Sequence, residues 1–239
     1  ILLLVGLMGV VSLCCCGSFL ALPALNTARE AARITQSSNN LKQIGLAILN
    51  YEAMHGEFPP AYTVDENGQR LASWRTLILP YMEQAAMYDM VDFTKPWDDP
   101  ANAHLGDIAL QIYHSPRDAG TDMRYTNYVV ITGDETIMPG EEATGVFHVR
   151  DGLSNTIMVI EVLNSDILWN EPRDLTMDDI RCVHHGDDPL ATNVIPLQGV
   201  VLFADGAVRR IDDNVTREML AMYLTRAGGE VPPEWPLRE

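Results

Sequence analysis

The first twenty-five residues, "ILLLVGLMGVVSLCCCGSFLALPAL", carry no side chain charged at neutral pH, and Arg29 is the first charge along the chain. As a helix this run extends about 37 Å, enough to cross a hydrocarbon core of about 30 Å. A cleaved signal shows a basic leader and a small-residue cleavage site. Neither pattern frames the run, so a retained head is expected. Gly6, Gly9 and Gly17 permit close approach of other helices. Pro23 removes a backbone donor, so unwinding is expected between Gly17 and Pro23.

Helical periodicity continues past the head through "NTAREAARITQSSNNLKQIGLAILNYEAMHGEFPP". Leu41, Ile44, Ile48 and Tyr51 recur at helical spacing and make one apolar stripe. Pro59 and Pro60 cannot continue a helix, so it stops near Gly56. This divides the chain into an apolar half-helix (1–25), an amphipathic half-helix (26–56) and a globular part (57–239).

The net charge is −17, all of it after Leu25, and 47% of residues are hydrophobic. Such a chain can build a core, but its surface repels phosphate backbones, which excludes nucleic acid as a partner. Three cysteines, Cys14, Cys15 and Cys16, lie in the head, where small polarizable packing is their simplest role. Cys182 stands alone in the rest, so no disulfide forms there.

Within 57–239, Trp74, Leu77, Ile78, Tyr81 and Met82 fit a helix face with Ser73 as N-cap, and Pro80 should kink or split it. "KPWDDPANAHLG" reads as a loop leading into a short helix. "RYTNYVVITG", "TGVFHV", "TIMVIEVL" and "GVVLFADGAVRRI" read as strands, the last a hairpin turning at "ADG". A final amphipathic helix is expected in "DDNVTREMLAMYLTRAGG", capped by Asn214 or Thr216 and stopped by Gly228. One long helix, a small antiparallel sheet and peripheral helices make an α+β domain.

Signals for chemistry are sparse. "HHGDD" (His184, His185, Asp187, Asp188) is the best metal-like cluster, but adjacent histidines in extended chain point apart. Hard oxygen ligands for calcium occur in "DENG", with Asp65 and Asn67, and at Asp98–Asp99 and Asp212–Asp213. None has the twelve-residue calcium-loop spacing, and the same residues serve turns. No nucleophile elbow or glycine-rich phosphate loop is present, so no enzyme activity and no cofactor beyond calcium is expected. Asp151 to Thr156, "DGLSNT", and Asp205–Gly206 have turn chemistry and read as structural. "NVT" at Asn214 matches a glycan acceptor.

Together "LPALNTAREAAR", "NNLKQIGLAILNYE", "GEFPPAY", "SWRTLILPYMEQAAMYDMVDFTKPWDDPANAHL", "DGLSNTIMVIEV" and "VLFADGAVRRI" resemble pilin-like proteins of planctomycete-type bacteria. These share a domain of unknown function, DUF1559, behind a prepilin-type N-terminus. The resemblance implies a type IV pilin-like fold, a long N-terminal α-helix packed on a small antiparallel β-sheet with peripheral helices and a C-terminal helix. It carries no catalytic residues. It also implies passage through the inner membrane and then a cell-surface filament whose partners are copies of the same chain. The assembly surface would include Leu4, Gly6, Gly9, Val10, Leu13, Gly17, Leu20 and Pro23.

Two departures stand out. Gly6 registers where such N-termini carry a glutamate, and His184 and His185 lie about twice as far from Asp205–Gly206 as the family's histidine does from its DG. An inserted "GDDPLATNVIPLQ", read as a longer hairpin loop, accounts for the second. The alternatives are a membrane-anchored surface protein whose acidic domain binds a ligand, and a minor pseudopilin of a secretion system.

Overall fold

The computed structural model describes residues 2–118, 120–182, 195–211, 215–230, 232 and 235, with backbone alone for 2–24, 180–182 and 195–198. The first element is a single helix, α1 (Leu2–His55). Leu41, Ile44 and Ile48 are fully buried, and Tyr51 is half-buried. Burying each aliphatic side chain contributes about 1.5–3 kcal/mol, so this stripe holds the helix to the body. α1 ends where Gly56 takes φ +80° and its N–H reaches the Glu52 carbonyl at 2.7 Å.

The expected unwinding between Gly17 and Pro23 does not occur; α1 passes both positions unbroken. Proline deletes one backbone bond, while Leu20, Ala21, Leu22 and Ala24 around it are strong helix formers. Among the described residues no helix is long and apolar enough to cross a membrane, and of the apolar head only the backbone is described.

After α1 come a hairpin, β1 (Tyr62–Val64) and β2 (Arg70–Ser73), and two one-turn helices, α2 (Trp74–Leu77) and α3 (Ala85–Tyr88). Ser73 caps α2, its hydroxyl accepting from the Thr76 N–H, and a 3-10 turn, Leu79–Met82, that contains Pro80 separates the two helices. In the "PWDDPAN" loop, the Asn102 amide donates to the carbonyls of Asp92, Lys95 and Pro96. Then follow β3 (Tyr128–Val129), β4 (Ile131–Thr132), β5 (Ile157–Val162), β6 (Leu175–Thr176), β7 (Ile180–Cys182), β8 (Ile195–Phe203), β9 (Val208–Arg210) and α4 (Arg217–Leu224).

The central sheet runs β3-β5-β8-β7, with β9 also paired to β8; all pairs are antiparallel except β7 with β8. α1 covers one face, where Leu41, Ile44, Ala47 and Ile48 meet Val159, Val200 and Leu202. α4 and Trp235 cover the other, where Leu220 and Tyr223 meet Ile160, Val201 and Phe203. The architecture is α+β: one long helix, small sheets that are mostly antiparallel, and short helices around them. Gly45 of α1 lies so close to Leu202 that an added Cβ would sit 2.7 Å from Leu202 Cδ1.

Three further expectations fail. "TGVFHV" is no strand: His148 N–H bonds the Gly145 carbonyl and Gly145 N–H bonds His148 Nδ1, closing a 3-10 turn that leaves Phe147 96% exposed. The inserted segment is no hairpin loop, because β7 and β8 run parallel and a parallel pair needs a crossover; residues 183–194 lie outside the described residues. α4 stops at Leu224, short of Gly228, because Thr225 turns extended and bridges Thr136. Thr216 is its cap, accepting from the Met219 N–H, and Asn214 lies outside the described residues.

Ile44→Ala is expected to cost about 2–5 kcal/mol in urea denaturation. Leu46→Ala, on the exposed side of the same helix (60% exposed), should stay within about 0.5 kcal/mol. Equal losses at both sites would show that the α1–sheet contact does not carry the stability.

Candidate functional site

The densest polar chemistry lies between α1 and the sheet, around one carboxylate. Glu161 sits in β5 amid Ile157, Val159, Ile160 and Val162, and it is fully buried. Its Oε1 accepts from the hydroxyls of Ser37 on α1 and Ser115, both at 2.5 Å. Its Oε2 accepts from Arg117 Nη1 and the Val200 N–H, both at 3.1 Å. Since Ser37 donates to Glu161, the Tyr128 hydroxyl donates to Ser37, at 2.8 Å. Asn40 Nδ2 completes that edge, reaching Tyr128 Oη at 3.3 Å and the His114 carbonyl at 3.2 Å.

Arg117 also reaches Glu30 on α1 at 3.1 Å. The network therefore grips the helix at residues 30, 37 and 40. Ser37 lies in register with Leu41 and Ile44, so it projects toward the sheet from within the apolar stripe. Further on, Ser115 N–H donates to Asn127 Oδ1, and Asn127 Nδ2 donates to the nearly buried Asp118 at 2.6 Å.

The backbone is shaped to admit the carboxylate. The β5–β8 register shifts between Ile160 and Val162, opposite Glu161. There Gly199 takes φ +115°, and a Cβ on it would overlap Glu161 Oε2 and Arg117 Nη1. Burial, reinforced by Glu161, pushes the Tyr128 hydroxyl above its ordinary pKa. Burial alone would lower Arg117, but Glu161 and Glu30 outweigh it and raise its pKa. With each oxygen of Glu161 taking two donors inside the protein, the carboxylate has no lone pair left for a substrate. The arrangement ties the helix to the sheet.

A second buried pair is formed by Arg75 and Asp174. Arg75 donates to Asp174 at 2.9 and 3.2 Å, and both side chains are fully buried. Trp74 Nε1 and the Val130 N–H add two more bonds to Asp174. Burial pushes the Asp174 carboxyl up to about 6 against the pull of Arg75.

Of the expected metal ligands, the described pair Asp65 and Asn67 belongs to a turn. Asp65 Oδ1 accepts from the N–H groups of Asn67 and Gln69, both at 2.8 Å, and closes the β1–β2 turn. Those bonds hold its carboxyl below the usual range. Asp187 and Asp188, with His184 and His185, lie outside the described residues, as do Asp212 and Asp213. Among the described residues no group of three His, Cys, Asp or Glu side chains could hold a metal. An open cleft of about 530 Å³ is walled by Tyr62, Asp134, Pro139, Gly140, Glu141 and Glu142.

The two turn motifs, "DGLSNT" and "ADG", do meet. Ala204 N–H bonds the Thr156 carbonyl, and Asp205 N–H bonds the Leu153 carbonyl. The Asp151 carboxylate is cradled by the N–H groups of Gly228 and Gly229 at 2.7 and 3.0 Å. Their role is to pin the chain after α4 to the sheet. Of the expected assembly residues, Leu4, Gly6, Gly9, Val10, Leu13, Gly17, Leu20 and Pro23 all fall on α1, and only their backbone is described.

The Glu161 network escaped the sequence reading, although it left a signal. "TIMVIEVL" contains one acid in an apolar run, and Ser37 continues an apolar stripe.

Glu161→Ala is expected to cost about 3–5 kcal/mol, because it removes the buried acceptor shared by Arg117 and three other donors. Gly199→Ala should cost about 3 kcal/mol. Both should speed hydrogen exchange in α1 from Ser37 to Leu41 more than in α4. Uniform acceleration throughout the domain would show that the network does not act locally on the helix.

No curated protein and no solved structure matches the chain. The family described as "Protein of unknown function (DUF1559)" matches residues 26–147, just over half of the 239 residues. The match takes in Glu30, Ser37, Asn40, Ser115, Arg117 and Tyr128, the part of the buried network that precedes Glu161 in the chain, and the chain belongs to the DUF1559 family.

Proposed function

We propose that this chain is a pilin-like structural subunit of an extracellular filament, with its apolar heads packed together in the filament core and its acidic body outside. The observation that carries this reading is the exposed stretch of the helix. From residue 25 to 36 every side chain of α1 is exposed except Glu30 and Ile34, which are half-buried. Beyond them α1 continues to Leu2. A chain that keeps an uncharged helix of this length must bury it in lipid or in other copies. The buried network supports the same reading, because it makes stem and body one rigid unit that a lattice of copies can repeat. The subunit would stand in the inner membrane before assembly and at the cell surface afterwards.

A second reading is a membrane-anchored surface protein whose acidic body binds a ligand. The open cleft at Glu141 and Glu142 and the presence of Gly6 in place of a glutamate favour it.

Detergent-free shearing of cells producing the chain, followed by electron microscopy of the released material, separates the two. Uniform fibres containing the chain are expected. Recovery only in membranes, with release by detergent as a monomer, would sink the filament reading.

A further inference from the structure

Charge is divided unevenly along the chain. Residues 1–42 hold three basic side chains, Arg29, Arg33 and Lys42, against one acid, Glu30, for a net +2. The other thirteen basic and thirty-two acidic residues leave the body at −19, which together give the total of −17. Glu30 does little to neutralise the stem. Its Oε1 is taken by Arg117 of the body at 3.1 Å, and its contact with Arg33 is a loose 3.9 Å with both side chains 45% exposed. Arg29 is exposed and makes no ion pair among the described residues.

Arg29 and Arg33 are four residues apart and share one side of the helix. They lie in the stretch that the body leaves uncovered. Residues 25–36 cover about 18 Å of helix, enough to lie along the surface of another globular body. An anionic lipid surface would also attract two arginines, but it would repel a body of −19 on the same rigid unit. The acidic body of another copy can meet the stem with the two −19 bodies held apart along its roughly 18 Å, beyond the screening length of about 8 Å at 0.15 M, and each copy then offers a basic stem to one neighbour and an acidic body to the next.

We infer that Arg29 and Arg33 of one copy dock against the acidic body of a second copy, a head-to-tail ionic contact that orders the subunits. Because stem and body are different surfaces, the contact is heterologous and propagates, which is the geometry of an open filament. The inference rests on the filament reading.

The test compares sheared fibres from cells making the full chain with fibres from the Arg29→Glu/Arg33→Glu and Arg29→Lys/Arg33→Lys variants, washed in rising salt. Screening shortens from about 8 Å at 0.15 M to about 3 Å at 1 M. Wild-type and lysine-variant fibres should fall at least tenfold in sedimentable amount across that range. The glutamate variant should give at least tenfold fewer fibres at low salt, while its body stays as protease-resistant as the wild type. Fibres of the glutamate variant in normal amount and with unchanged salt response would overturn the ionic contact and leave the filament standing. Absence of fibres from the wild type would overturn both. In that case, flotation of the wild-type chain, but not the glutamate variant, with vesicles containing phosphatidylglycerol would assign the arginines to lipid.

Discussion

A single carboxylate buried between helix and sheet is the constraint around which the rest is arranged. Removing an ionised glutamate from water costs several kcal/mol unless donors replace the lost hydration. Glu161 recovers that cost through two serines, an arginine and a backbone N–H. Each donor makes its own demand on the chain. Ser37 must face the sheet from α1, Ser115 and Arg117 must be carried there by the loop before β3, and β8 must open its register and place a glycine at 199. Segments distant in sequence are thereby committed to one arrangement.

That commitment explains why the helix–sheet contact is polar at one end and apolar at the other. An apolar stripe such as Leu41, Ile44 and Ile48 gains nearly as much burial if the helix shifts by a turn. A set of directed hydrogen bonds does not survive such a shift. Buried polar groups at one position are a known means of fixing register, at some cost in stability. Here the polar end lies toward the uncovered stem, where a small rotation would be amplified along the length of the helix outside the body.

The local signals were readable from sequence, and the non-local ones were not. The apolar period placed the buried stripe of α1, Gly56 and the prolines placed its end, and Ser73 and Thr216 each cap the helix they precede. The "ADG" turn likewise joins β8 to β9. These features depend on neighbours a few residues away. Pairing direction does not, which is why β7 against β8 was misread as a hairpin. "TGVFHV" went wrong because one histidine nitrogen bonding back to Gly145 outweighed its β-branched residues. Glu161 could be seen as an anomaly in its strand, but its partners lie 44, 46 and 124 residues away. Pro23 shows the reverse error, a strong local breaker overruled by the helix formers around it.

The distribution of charge then follows from the same mechanical arrangement. A rigid stem can deliver a force to its body only if both are locked, and Arg117 is where the lock meets the charge. It pairs with Glu161 inside and Glu30 outside through one guanidinium. By engaging Glu30, it leaves Arg29 and Arg33 as the dominant charges of the uncovered helix. The residue that fixes the stem to its own body thus also sets the sign that the stem presents to whatever lies beside it.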